Sequence, residues 1–265
     1  MYIIERFGDA WASATVLPTL DGRQPHGIRG IEGSILRLPG GRAYDWRGGE
    51  RAPIAPEEIV IEGVWVADSV AAMETKHAAL LALVGRRSKL WRSNGTTQHW
   101  RTARLLSIDA PIEAGFAHWM AYTMRFELAA MPWQGTARAP TQTLAVANPS
   151  YTTITCTNGG NARVCDVVVA VTAQSSAITR VRVAVPGVSD FEWTGSLAAG
   201  STLALDCGAK RVRIGSVNAY AITLRAGHSV SDWLRLEPGD TAVRVYRSGG
   251  GATSTASISY SDGWL

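Results

Sequence analysis

The chain has little of what marks an enzyme, a secreted scaffold or a membrane protein. Three cysteines in 265 residues are too few, and odd in number, for a disulfide framework. Cys156 and Cys165 flank the turn TNGGNA and could face each other across a hairpin. Two small buried thiols in adjacent strands are the simpler expectation for a chain made in a cytosol. No run approaches the roughly 20 apolar residues that a membrane helix needs. Arg6 and Asp9 interrupt any apolar start, so no secretory signal is expected. There is no GxSxG, no HExxH, no P-loop and no dinucleotide glycine fingerprint. The five histidines, His26, His77, His99, His118 and His228, are dispersed, and none has a second ligand at metal spacing. No metal, no cofactor and no catalytic residue is therefore expected. Glu57 and Glu58 are adjacent on a strand and point to opposite faces, so they cannot converge on one bond. They read as solvated charges on a sheet edge.

Charge is also scarce. Charged residues make up 18% of the chain, and the net charge is only +4. The cations are scattered, so a pI near 9.1 does not by itself point to nucleic acid. The densest basic group is Arg86, Arg87, Lys89 and Arg92. Its simplest role is to complement the negative end of a helix; an assembly interface fits it equally.

What is present is a large apolar fraction, 46% of residues, enough for a sizeable core. One stretch reads as helix, Ser69 to Arg87. Met73, His77, Leu80 and Val84 recur at helical steps, and Leu81 widens the stripe. Asp68 or Ser69 caps the start, Glu74 lies near it, and Gly85 supplies a left-handed stop beside Arg86 and Arg87.

The rest reads as strands and turns. In the first half, strands are expected near Met1 to Val16, Ile31 to Leu38, Ile59 to Val66, Lys89 to Trp91, His99 to Ser107 and Ala117 to Met131. Asn94-Gly95 marks a hairpin between two of them. A polar loop from Arg42 to Glu58 carries Tyr44 and Trp46. Pro132 to Pro149 reads as a linker or a strand-like connection. Beyond it, short strands recur between Gly-rich turns: Thr152 to Thr155, Val164 to Val171, Ile178 to Val185, Asp190 to Thr194, Thr202 to Asp206, Val212 to Ile214, Ala221 to Leu224, Trp233 to Leu236, Thr241 to Tyr246 and Ser257 to Tyr260. No period repeats, which excludes a propeller or a solenoid. The expected fold is mainly β. Residues 1–140 form a split-barrel-like sheet with one packed helix, and residues 141–265 form an antiparallel β-sandwich.

Ten tryptophans are many. Phe191 and Trp193 share one strand face, and Trp233 sits in DWLRLEPG. A two-sheet core uses such side chains. Trp193 and Trp233 are also the candidates for a sugar-stacking platform, should the sandwich be a monomeric carbohydrate-binding module used in host adsorption. A sandwich-fold glycoside hydrolase is a third reading, without a placed carboxylate pair to support it.

Particular phrases carry a family resemblance. In the first half these are the strand near Tyr2 to Glu5, the strand before Pro39-Gly40-Gly41, IVIEGVWV, the helix ending in VGRR, KLWR and RTARLLS. In the second half they are NGGNARVCDVVVAVTA, FEWTGSLAAGSTLALDCGAKRV, SDWLRLEPGDTAVRVY and the terminal SYSDGW. In order and wording the chain resembles the distal tail protein of long, non-contractile-tailed bacteriophages. The resemblance implies a six-fold ring at the far end of the tail, within the virion. The first domain, the family's belt, would build the ring wall. The second, galectin-like in the family, would project outward. The implied partners are other copies of the chain, the tail tube protein, the hub or fibre-bearing protein and the tape-measure protein. DNA would pass through the channel without specific binding, and no membrane insertion is implied. No carbohydrate-binding insertion interrupts the chain. Ring closure needs a protruding element and a receiving face. The loop Pro39 to Pro56 and the basic group supply candidates: Tyr44, Trp46, Arg47, Arg86 and Arg87. Deleting the loop tip, Arg42 to Glu50, is expected to weaken assembly and leave the monomer folded.

Overall fold

The structure, a computed structural model, describes residues 3–8, 36–37, 43–44, 57–93, 96–110, 119–129, 131–144, 151–224 and 233–265. The chain divides into two compact units, one ending at Trp133 and the other running from Gln134 to Leu265.

In the first unit, β1 (Ile3–Phe7), β2 (Leu36–Arg37), β3 (Ala43–Tyr44) and β4 (Glu57–Val66) precede α1 (Val70–Leu81). Three strands follow: β5 (Arg87–Ser93), β6 (Gln98–Asp109) and β7 (Trp119–Leu128). The principal sheet has the order β1-β5-β6-β7-β4, antiparallel throughout. β2 and β3 pair separately. Alternation along the strands sends one face inward. Leu90, Ala103, Leu105, Met124, Phe126, Leu128 and Ile61 are buried on it. The Phe7 and Phe126 rings meet edge to face at 5.1 Å.

The helix is shorter than its periodicity suggests. Ser69 is the N-cap, its Oγ accepting from the Ala72 amide at 3.2 Å. Met73 and Leu80 are buried and His77 is half-buried. Leu81 and Val84 are exposed, at 47% and 42%. The reason lies in the exit. After Leu81 the backbone tightens into turns, with the Leu83 and Val84 amides donating to Leu80 and Leu81. Val84 therefore leaves the face that Met73 and Leu80 share. Gly85, at φ +82°, turns the chain, and its amide donates to the Leu105 carbonyl at 2.8 Å. No acidic residue lies in the first helical turn and no basic residue in the last. Arg86 and Arg87 thus do not complement the helix end; Arg87 already belongs to β5.

The second unit is an antiparallel sandwich. Its strands are β8 (Trp133–Arg138), β9 (Thr141–Thr143), β10 (Thr152–Asn158), β11 (Val168–Thr172), β12 (Ile178–Val185), β13 (Ser189–Leu197), β14 (Thr202–Asp206), β15 (Arg211–Ile214), β16 (Val217–Asn218), β17 (Ile222–Leu224), β18 (Gly239–Gly249) and β19 (Thr255–Trp264). One sheet runs β8-β19-β11-β14-β15-β16, with β9 also on β19. The other runs β10-β18-β12-β13-β17. Their inner faces enclose one cluster that includes Ile154, Val169, Val183, Phe191, Trp193, Leu205, Val243 and Ile258.

Several expectations are corrected here. Pro132 to Pro149 is strand over β8 and β9, not a plain linker. The strand expected from Val164 begins only at Val168, because the Val167 amide folds back onto the Cys165 carbonyl. Trp233 to Leu236 is not a strand; Leu236 makes one isolated bridge, to Val164. Of the strands expected at Met1 to Val16 and Ile31 to Leu38, β1 and β2 are present, and residues 9–35 lie outside those described. Cys156 and Cys165 are free thiols. Cys156 is buried opposite Thr241 and not opposite Cys165. Burial pushes its thiol up to about 12.

Candidate assembly surfaces

The solvent face of the first unit's sheet carries cations laid over aromatic rings. Arg6 sits 4.1 Å from the centre of the Trp91 ring. Lys89 lies 4.3 Å from the Trp100 ring and 5.9 Å from Trp91. The register explains it. Arg6 pairs with Trp91 and Trp91 with Trp100, so all three point to one side. Such stacking fixes long side chains in place and leaves their charge at the surface. Arg86 and Arg87, two of the proposed interface residues, are exposed at the start of this face. Tyr44 lies in β3, while Trp46 and Arg47 lie outside the described residues. The loop Arg42 to Glu50 is likewise outside them, except at β3.

The two tryptophans proposed as sugar platforms are placed otherwise. Trp193 is 2% exposed, and its Nε1 donates to the Ala219 carbonyl at 3.1 Å. It lies on the inward face of β13 and has no ring face to offer a ligand. Trp233 is half-buried and stacked on Phe191, ring centres 5.3 Å apart. Both serve the sandwich core. Sequence inspection missed a different group. On the outer face of the five-stranded sheet, Arg182 stacks on Tyr246 at 4.7 Å and Arg244 on Tyr151 at 4.8 Å. The Asp190 carboxylate grips Arg182 through two hydrogen bonds of 2.7 and 2.6 Å. The signal was the alternation of Arg180 and Arg182 along β12 against Asp190 and Glu192 on β13, which pair across strands.

Two quoted phrases from distant parts of the chain meet at one end of the sandwich. The Asn158 side chain accepts from the amides of Gly160 and Gly263, at 3.1 and 3.0 Å, and donates to the Ala162 carbonyl at 2.7 Å. Asp262 accepts from the Gly159 amide at 3.0 Å. The NGGNA turn and the terminal SYSDGW are thus one structural feature. Among the described residues, no group of His, Cys, Asp and Glu is placed to hold a metal ion. Also among them, no helix is long and apolar enough to cross a membrane.

The described residues thus form an antiparallel sheet with one helix and an antiparallel sandwich that includes the terminal strand. Residues 159–264 match the family model of the siphovirus-type tail component, C-terminal domain. The second unit thus carries a domain similar to that of siphovirus-type tail components. The fold of the whole chain is similar to that of the Dit protein of phage SPP1. The TM-score is 0.59 over 98% of both chains, at 15% identity. That protein is described as a paradigm of the hub adsorption apparatus in phages that infect Gram-positive bacteria. Two baseplate structures of phage p2 in the activated conformation, with Ca and with Sr, share 8% identity at TM-scores of 0.44 and 0.47. They cover 87% and 88% of this chain, and 97% and 87% of theirs. No curated protein sequence matches the chain.

Proposed function

We propose that the chain forms a closed ring, of six copies, at the distal end of the tail. Residues 1–140 build the ring wall around the DNA channel. Residues 141–265 form the sandwich that projects outward. The ring joins the tail tube above to the hub or fibre-bearing protein below, and surrounds the path of the tape-measure protein and the DNA. The part played is architectural, with no turnover of substrate.

The observation that carries this reading is the combination of a siphovirus tail-component domain with a distal tail protein's fold over nearly the whole chain. The first unit supports it in its own way. Its exposed sheet face holds a set of pre-positioned cations, which suits a fixed protein contact better than free solvation. The burial of Trp193 and the stacking of Trp233 remove the support for the carbohydrate-binding reading that those residues supplied. Negative-stain imaging of the purified full chain tests the proposal. Annular particles with a central opening are expected; extended filaments, or unassembled chains that bind glycans, would overturn it.

A further inference from the structure

One row of side chains crosses four strands of the first unit's sheet. Arg87 on β5 lies directly opposite Arg104 on β6. Arg104 lies opposite Glu127 on β7, and Glu127 lies opposite Glu58 on β4. All four are exposed on the same face. Read across the sheet, the charges run plus, plus, minus, minus. The neighbouring positions extend the polarity except at Arg125 on β7, exposed on the same face opposite Val60. Arg6 and Lys89 stand on the β1–β5 side, and Glu62 stands on β4.

This arrangement is costly for a lone chain. Residues directly opposite on adjacent strands have their Cβ atoms roughly 5 Å apart, and like charges there repel. Only the middle pair, Arg104 with Glu127, is complementary. Arg87 and Glu58 each face a neighbour of their own sign. Among the described residues, β1 stops short of the Arg87 end. Its register with β5 runs to Phe7 opposite Leu90, and the Gly8 amide reaches only the Lys89 carbonyl. The two ends of the row are therefore charged, exposed and opposite in sign.

We propose that this row is a polar seam between copies of the chain, with the Glu58 end of one copy docking beside the Arg87 end of the next. The occupant is a second copy of the same chain, because each end lacks the charge that the other end carries. Set side by side in the same sense, the rows read plus, plus, minus, minus, then plus, plus again, and both end charges gain an opposite neighbour. A two-fold contact would set Glu58 against Glu58 or Arg87 against Arg87. The seam thus selects a head-to-tail contact, the kind that closes into rings. The inference rests on the ring reading above and adds to it which edges meet and in which sense.

Charge reversal tests it with a built-in rescue. Glu58→Lys gives a chain positive at both ends, and Arg87→Glu gives one negative at both ends. Native mass spectrometry and negative-stain imaging would follow assembly, and thermal unfolding would follow the single chains. Each variant alone is expected to assemble at least tenfold more weakly than the wild type. Neither should unfold at a lower temperature, since each replaces a like-charge pair by an opposite one. Mixed one to one, they should recover rings that contain the two variants in alternation. If either variant alone assembles as the wild type does, or the folded pair fails to rescue, the seam is wrong and the ring reading stands. If the wild type itself forms no ring, both fall.

Discussion

Arg138 and Asp262 hold each other through two parallel hydrogen bonds, Nε to Oδ1 and Nη2 to Oδ2, each 2.8 Å long. They join β8, at the start of the sandwich sequence, to β19, at its end. The Asp262 side chain is only 5% exposed, against 37% for Arg138. The pair is one-sided: the buried carboxylate depends on its partners, while the guanidinium has water. The hydrogen bonds to Asp262 raise the Arg138 pKa further. Asp262→Ala is expected to lower stability by about 2 kcal/mol, as loss of charge-assisted hydrogen bonds does. Arg138→Ala leaves the 5%-exposed carboxylate charged, without its guanidinium partner and still bonded to the Gly159 amide. That is the costlier loss, because the stranded charge is buried. Urea unfolding of the two variants should rank Arg138→Ala as the more damaging; the reverse order would contradict this asymmetry.

Gly160 sits against the terminal strand. A Cβ there would lie 1.7 Å from the Gly263 carbonyl oxygen and 2.5 Å from its carbon. Backbone cannot yield as a side-chain tip does. Gly160→Ala should cost at least about 2 kcal/mol and detach the last strand first. Hydrogen exchange should show lost protection at Ala162 and Gly263, whose amide and carbonyl are joined at 3.0 Å. Unchanged protection there would contradict the prediction.

Arg247 is a buried cation, 3% exposed, held by backbone alone. Its guanidinium donates to the carbonyls of Gly249, Gly250, Gly251 and Leu144, the last three at 2.6, 2.9 and 3.2 Å. Burial lowers its pKa. The fan of donors closes the Gly-rich turn after β18, as only a planar guanidinium can. Arg247→Lys should destabilise the sandwich by about 2 kcal/mol, because a compact ammonium cannot reach all the carbonyls and leaves buried acceptors unpaired. Calorimetry on the variant would check it, and an unchanged melting temperature would count against it.

His99 is 2% exposed on the inward face of β6. Desolvation, and then the charge of Arg92, lower its pKa from 6.5. The folded state therefore resists protonation more than the unfolded chain does. Stability from this group is complete above the unfolded value. It is lost as the pH falls from about 6.5 towards the lower folded value, where the unfolded chain binds the extra proton. Melting temperatures between pH 7.5 and 5 should fall with acidity, and His99→Gln should flatten that slope. A slope unchanged in the variant would assign the effect elsewhere.

Much of this fold was legible in the sequence. β12 and β14 begin and end where alternation and Gly-rich turns set them, since a half-buried strand repeats every two residues. The Asn-Gly signal correctly joined β5 to β6 for the same local reason. Gly85 was readable as a left-handed stop. What failed was long-range. The helical stripe overran to Val84 because periodicity does not register a chain that leaves its axis at Leu81. Trp193 read equally well as platform or core, because alternation gives a face but not which face is covered. The charge row of Arg87, Arg104, Glu127 and Glu58 was not legible, since its members become neighbours only through the pairing of four strands. Arg86 and Arg87 drew notice as a local cluster, and Glu58 as an edge charge. Their relation depends on register.

The central claim is a closed ring of identical chains, and the mass of the assembled particle tests it most directly. Light scattering on a sizing column should give about 170 kDa for six copies of the 28.3 kDa chain, with a discrete peak that holds its mass on dilution through the association range. A chain that stays at 28.3 kDa at every concentration, or one that stops at a two-fold dimer, would contradict the account.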